Sequence, residues 1–127
     1  MNITILYGGT SAEHKVSIQT GLAIAEAIKD QYNLDMINLN AEIYNTPYLL
    51  LDTDLVINAL HGGDGENGSI QSFLDLHHIP YTGSGAKACK IAMDKNITKL
   101  IAKSVGIPTP NWVLLKRNVN NGMQLQD

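Results

Sequence analysis

Strand-length apolar blocks alternate with helix-period stretches along this chain of 127 residues, and two of the blocks run straight into glycine-rich turns. Such alternation favours parallel strands joined through helices, because a strand that is apolar on both faces must be covered on both. The strand candidates are Ile3 to Tyr7, Leu34 to Leu39, Asp54 to Leu60 and a short piece around Tyr81. Between the first two, Val16 to Lys29 places Ile18, Leu22, Ala25 and Ile28 on one helical face,. A second helix is expected after Gly68, with Ile70, Phe73, Leu74 and His77 in register. A longer one is expected from about Lys87 to Val105, stopped by Gly106 and Pro108,. Thr109 to Lys116 reads as a further strand, and Asn118 to Asp127 as a polar, unfinished tail. The pattern predicts a three-layer α/β fold with a mostly parallel sheet. In such sheets ligands sit beyond the carboxyl ends of the strands, which directs attention to the loops after Tyr7 and Leu60.

Composition narrows the class of partner. The chain has 44% hydrophobic residues, enough for one packed core,. Its 9 Lys and Arg against 12 Asp and Glu leave a net charge of -3, and no stretch clusters the basic residues. Neither a nucleic acid nor an anionic membrane surface is an expected partner. Cys89, the only cysteine, excludes an internal disulfide framework and fits a reducing compartment,. No signal peptide is apparent at the start, and no apolar run approaches the roughly 20 residues that cross a bilayer as a helix. The expectation is a soluble cytoplasmic protein.

The first loop runs Gly8-Gly9-Thr10-Ser11-Ala12-Glu13-His14-Lys15-Val16-Ser17. Paired glycines allow a sharp turn, and Thr10, Ser11 and Ser17 are suited to capping. The loop matches neither the dinucleotide fingerprint nor the P-loop. Glu13 has a purely structural reading, a carboxylate favoured by the positive end of a helix, and a functional one, an anion that receives an ammonium group. The second loop, His61-Gly62-Gly63-Asp64-Gly65-Glu66-Asn67-Gly68, lacks the helical spacing of a zinc pair and the spacing of an EF-hand, so no metal site is assigned to this chain,. A third turn, Tyr81-Thr82-Gly83-Ser84-Gly85, leads towards Met93-Asp94-Lys95. Taken singly, Lys95 reads as a solvated surface lysine, Cys89 as a small buried residue, and Phe73 and Trp112 as core.

Taken together, these segments resemble the N-terminal region of the D-alanine-D-alanine ligases. The resemblance rests on Leu6-Tyr7-Gly8-Gly9-Thr10-Ser11-Ala12-Glu13 with Val16-Ser17, on Ala59-Leu60-His61-Gly62 with Gly65-Glu66-Asn67-Gly68, on Pro80-Tyr81-Thr82-Gly83-Ser84-Gly85, and on Met93-Asp94-Lys95. Their order and spacing agree with the family up to about Trp112. Two positions depart from its pattern: Lys15, where an acidic residue is common, and Asn67, where Asp is frequent.

The resemblance implies a Rossmann-like pre-ATP-grasp domain over residues 1–106, with residues 107–127 beginning an ATP-grasp domain that is truncated here. It implies an enzyme that uses ATP and Mg2+ to phosphorylate one D-alanine, whose acyl phosphate the amine of a second D-alanine attacks, for peptidoglycan synthesis. By the same resemblance, Glu13 and His61 are the catalytic candidates. Glu13 would bind the ammonium of the first D-alanine, Val16 would line its methyl pocket and His61 would meet its carboxylate. Lys95 would reach the nucleotide phosphates, while Ser17 and Glu66 would hold the loops. A homodimer is expected, ATP and Mg2+ would be bound mainly outside this chain, and the chain alone is expected to be inactive. Two alternatives remain at this point: a non-catalytic α/β binding module, and a ligase that takes D-lactate or D-serine as its second substrate.

Overall fold

The computed structural model describes residues 1–118 and 122–126. Its order is β1 (Asn2–Gly8), α1 (His14–Ile28), β2 (Asn33–Leu39), two 3-10 turns (Ala41–Asn45 and Pro47–Leu50), β3 (Leu55–Asn58), a 3-10 turn (Gly63–Gly65), α2 (Ser69–Leu76), α3 (Ala86–Met93), α4 (Lys95–Ser104), β4 (Leu114–Asn118) and β5 (Gly122–Gln126). Two compact units result, Met1–Met93 and Asp94–Asp127.

The first unit is built on a parallel sheet in the order β2-β1-β3, with Ile3 opposite both Leu34 and Leu55. β1 is central in the sheet, and its faces are covered by α1 on one side and by the 3-10 turns and α2 on the other, which is why it is apolar almost throughout,. Ile3 and Ile5 point to one face and pack with Ile24, Ala25 and Ile28 of α1. Leu6 points to the other, where it joins Leu39, Ile43, Leu50, Val56, Ile70, Phe73 and Leu74. The expected three layers are therefore present. Thr4, the polar residue on that second face, is buried and shares a hydrogen bond of 2.6 Å with the Thr53 hydroxyl.

Several boundaries differ from the sequence-based expectation. The third strand is shorter than Asp54 to Leu60, although Ala59 still donates its N–H to the Leu6 carbonyl at 2.9 Å. The piece at Tyr81 is a single parallel bridge to Val56. Its neighbours hold it there: Val56 N–H donates to Pro80 O at 2.8 Å and Thr82 N–H to Val56 O at 2.9 Å.

The long helix expected from Lys87 to Val105 is two helices. Asp94 leaves the helical region (φ -88°, ψ 98°), and its carboxylate accepts the Ile97 N–H at 3.0 Å, the geometry of an N-cap,. The apolar repeat through Met93, Ile97 and Leu100 runs across the break, so periodicity alone hides it.

In the second unit, α4 is followed by the antiparallel pair β4 and β5. The strand expected over Thr109 to Lys116 begins only at Leu114, and the tail expected to be unfinished supplies β5; Val119, Asn120, Asn121 and Asp127 lie outside the described residues. The segment before β4 is tied to α4 instead of to a sheet. Lys99 donates to Pro110 O at 3.0 Å, Trp112 Nε1 donates to Asn96 Oδ1 at 2.8 Å, and the Lys99 ammonium lies 5.3 Å from the Trp112 ring centre. Trp112 is thus half-buried beneath a cation, while Phe73 is a core residue as expected,.

Candidate functional site

The site candidates lie where the β1–α1 and β3–α2 connections leave the sheet. Ser11 joins the two. Its hydroxyl donates to the His61 carbonyl at 2.5 Å and accepts the Glu13 N–H at 3.1 Å. His14 turns back within the first loop and donates from Nδ1 to the Gly9 carbonyl at 2.6 Å, an acceptor that can only receive a proton,.

Glu13 stands at the N-cap position of α1, yet its side chain makes no capping bond. The carboxylate thus keeps its place at the positive end of the helix without being consumed by a capping hydrogen bond,. The carboxylate lies against Gly62 instead: a Cβ placed there would come within 2.7 Å of Glu13 Oε2. Gly62 has φ +64°, a backbone conformation that calls for glycine,. Glu13 is exposed, and so is Val16 one turn into the helix.

His61 follows the buried Leu60 directly. Its imidazole Nε2 is 2.9 Å from the Thr20 hydroxyl of α1. Ser17, on the same helix and fully buried, donates to the Ala59 carbonyl at 2.8 Å. The end of the third strand is thus bound to α1 twice within three residues. Glu13, Ser17 and Thr20 recur at i, i+4 and i+7, one face of a helix. That polar spacing was the available signal for Thr20, which sequence reasoning left unnamed; Ser11, read there as a capping residue, instead bridges the two loops.

The rest of the second loop is held by its own side chains. Asn58 accepts the Leu60 N–H at 3.2 Å and donates to Gly65 O at 3.0 Å, and Gln71 donates to the same carbonyl at 2.7 Å. Asp64 accepts from the Tyr44 hydroxyl at 3.1 Å and from the Asn67 amide at 3.2 Å. Burial, with the Asp64 charge and hydrogen bond behind it, pushes the Tyr44 phenol up to about 12,. Asn67 in turn accepts the Ser69 N–H at 2.9 Å at the start of α2. Asn67 thus donates to Asp64 as well as accepting. An ionised aspartate here could only accept, which gives the departure from the family pattern a local reason.

Glu66 is exposed and lines a cavity of about 500 Å3 with Asn58, Gln71, Thr82, Ser84 and Cys89. Cys89 is half-buried there and not fully buried as expected, its thiol donating to Ser84 O at 3.3 Å. The gap enclosed among Gly9, Ser11, His61 and Gly62 is only about 10 Å3. That gap is too small to hold an amino acid,. The structure brings Glu13, Val16, Ser17 and His61 to one end of the sheet. Lys95, exposed at the first turn of α4, belongs to the second unit.

Comparison with known proteins places this geometry. A profile described as the D-ala D-ala ligase N-terminus matches residues 38–84. D-alanine-D-alanine ligase of Coprothermobacter proteolyticus is 41% identical over 114 residues, covering 89% of this chain and 38% of that enzyme. The ligase of Carboxydothermus hydrogenoformans is 43% identical over 121 residues, covering 94% and 38%. Among solved structures, the D-alanine-D-alanine ligase of Bacillus anthracis complexed with ATP superposes with a TM-score of 0.83 at 33% identity, covering 99% of this chain and 48% of that one. The chain spans about 38% of the length of the curated relatives it matches. It belongs to the D-alanine-D-alanine ligase family and corresponds to the N-terminal part of its members.

Proposed function

We propose that the chain grips the first substrate in an ATP-dependent, cytoplasmic ligase that joins two D-alanines through an acyl phosphate for peptidoglycan synthesis. One observation carries this reading: an exposed carboxylate, Glu13, and an imidazole, His61, stand on neighbouring strand-end loops joined by Ser11. A zwitterionic amino acid needs an anion for its ammonium and an N–H donor for its carboxylate. Held at both ends, it presents one carboxylate oxygen for phosphoryl transfer with little orientational freedom left to lose. In this reading Glu13 receives the ammonium, His61 meets the carboxylate, and Val16 gives the methyl group an apolar contact. Ser17 holds α1 to the end of β3, and Glu66 closes its turn through a backbone bond to Gly63 O at 3.1 Å.

When bound, ATP supplies the phosphoryl group that activates the carboxylate. Lys95 is an exposed cation whose chemistry suits nucleotide phosphates,. For Mg2+, no group of three or more His, Cys, Asp or Glu among the described residues is placed to hold the ion. Residues 1–106 form the substrate-binding domain in this assignment and residues 107–127 open the ATP-grasp domain, whereas the compact units part after Met93. The proposed assembly is a homodimer. No helix among the described residues is long and apolar enough to cross a membrane.

The test is phosphate release from ATP by the complete enzyme. Release should require D-alanine. Release that is unchanged when D-alanine is omitted, or that follows another amino acid in preference, would overturn the assignment.

A further inference from the structure

We propose that Thr20 is a positioning residue that holds His61 in the tautomer with its proton on Nδ1, so that this N–H is the one turned to a ligand. The ring nitrogen Nε2 lies 2.9 Å from Thr20 Oγ1, which allows two arrangements. Either the hydroxyl donates to a bare Nε2, or a protonated Nε2 donates to the hydroxyl oxygen. A bare imidazole nitrogen is a far stronger acceptor than an alcohol oxygen, and a hydroxyl proton can rotate to reach it. The first arrangement is favoured, and in a neutral ring it leaves the proton on Nδ1.

The surroundings make this bond a fixed one. Thr20 sits on α1, which the buried Ser17 hydroxyl ties to the Ala59 carbonyl at 2.8 Å, two residues before His61. On the other side, Ser11 holds the His61 carbonyl at 2.5 Å. The main chain of His61 is thus anchored by the first loop and its ring by the helix, and the nitrogen not taken by Thr20 is Nδ1. A donor for a carboxylate must carry a proton. If the ring adopted the other neutral tautomer, Nδ1 would be a bare lone pair and would repel a carboxylate. The consequence for D-alanine rests on the function proposed above; the tautomer itself does not.

Ring 1H–15N correlation spectra of the full chain, recorded where His61 is neutral and assigned with a His61→Asn variant, read the tautomer directly. Wild-type His61 should show a protonated Nδ1 and a bare Nε2. Thr20→Val, which keeps the shape and removes the hydroxyl, should shift the ring towards the Nε2-protonated form, and Thr20→Ser should restore the wild-type pattern. A protonated Nε2 in the wild type, or a pattern unmoved by Thr20→Val in a protein that still folds, overturns the proposal. In the complete enzyme Thr20→Val should lower kcat/KM for the first D-alanine about threefold to tenfold, the scale of one neutral hydrogen bond, with Thr20→Ser near wild type. Normal kinetics in His61→Ala beside the expected spectra would sink the functional reading and leave the tautomer assignment standing.

Discussion

The two glycine-rich loops use their acidic residues in opposite ways. In the second, Asp64 is committed to structure, accepting from Tyr44 at 3.1 Å and Asn67 at 3.2 Å. In the first, Glu13 stands at a helix N-terminus, where a carboxylate would ordinarily cap, and makes no capping bond,. Its loop is positioned by Ser11, which leaves the carboxylate on the open side next to Gly62. A charge already satisfied by neighbours gains little from a ligand, whereas one held in place without being consumed can take a ligand's ammonium at small reorganisation cost. Position in a glycine-rich loop does not separate the two residues; their hydrogen-bond partners do.

Substitution at the open end should have the largest effect and should be kinetic. In the complete enzyme, Glu13→Gln or His61→Ala should cost roughly 1.5 to 3 kcal/mol of transition-state binding, about one to two decades in kcat/KM for the first D-alanine. The melting temperature should barely change. Steady-state rates at varied D-alanine beside thermal melts of the same preparations decide it; a large loss of stability with normal rates would make Glu13 as structural as Asp64.

The reverse pattern is expected at the committed end. Asp64→Ala removes the acceptor of Tyr44 and Asn67, and should destabilise the fold by about 1 to 2 kcal/mol in denaturant melts while leaving kcat/KM near normal. The same contact has an alkaline signature. Because the Tyr44 phenol is raised from 10.0 to about 12 in the folded chain, mainly by burial, the folded state resists its ionisation. The associated stability is intact below pH 10 and is lost as pH rises towards 12,. Ultraviolet titration should show Tyr44 as a late tyrosine beside Tyr81, which burial and its hydrogen bond to Asp75 also raise, and in Asp64→Ala Tyr44 alone should move down, but not fully to its ordinary value.

A smaller effect should follow Asn67→Asp. It replaces a donor to Asp64 with a second carboxylate while keeping the acceptor for Ser69 N–H, so about 0.5 to 1.5 kcal/mol should be lost near neutral pH. The loss should shrink as pH falls through the carboxylate range and one of the pair protonates. A variant as stable as the parent at both pH values would show that the amide contributes nothing to the loop.

Read alone, the sequence contained the three strands of the parallel sheet, α1 and α2, because apolar residues at strand or helix spacing leave a short-range signature,. It also contained the loop residues that carry the family resemblance. Two boundaries were illegible for local reasons: the apolar repeat continues through the cap at Asp94, and prolines before Leu114 obscure where β4 begins. What only the tertiary structure decided are the pairings across long separations, Ser11 with His61 50 residues away and Thr20 with the same histidine 41 residues away. These depend on β1 lying beside β3 in one particular register and on α1 crossing the sheet end at that point. No window of sequence encodes a register between strands so far apart. The identity of the acidic and imidazole groups was therefore in the sequence, while tertiary contacts decided which acid stays open and which ring nitrogen Thr20 engages.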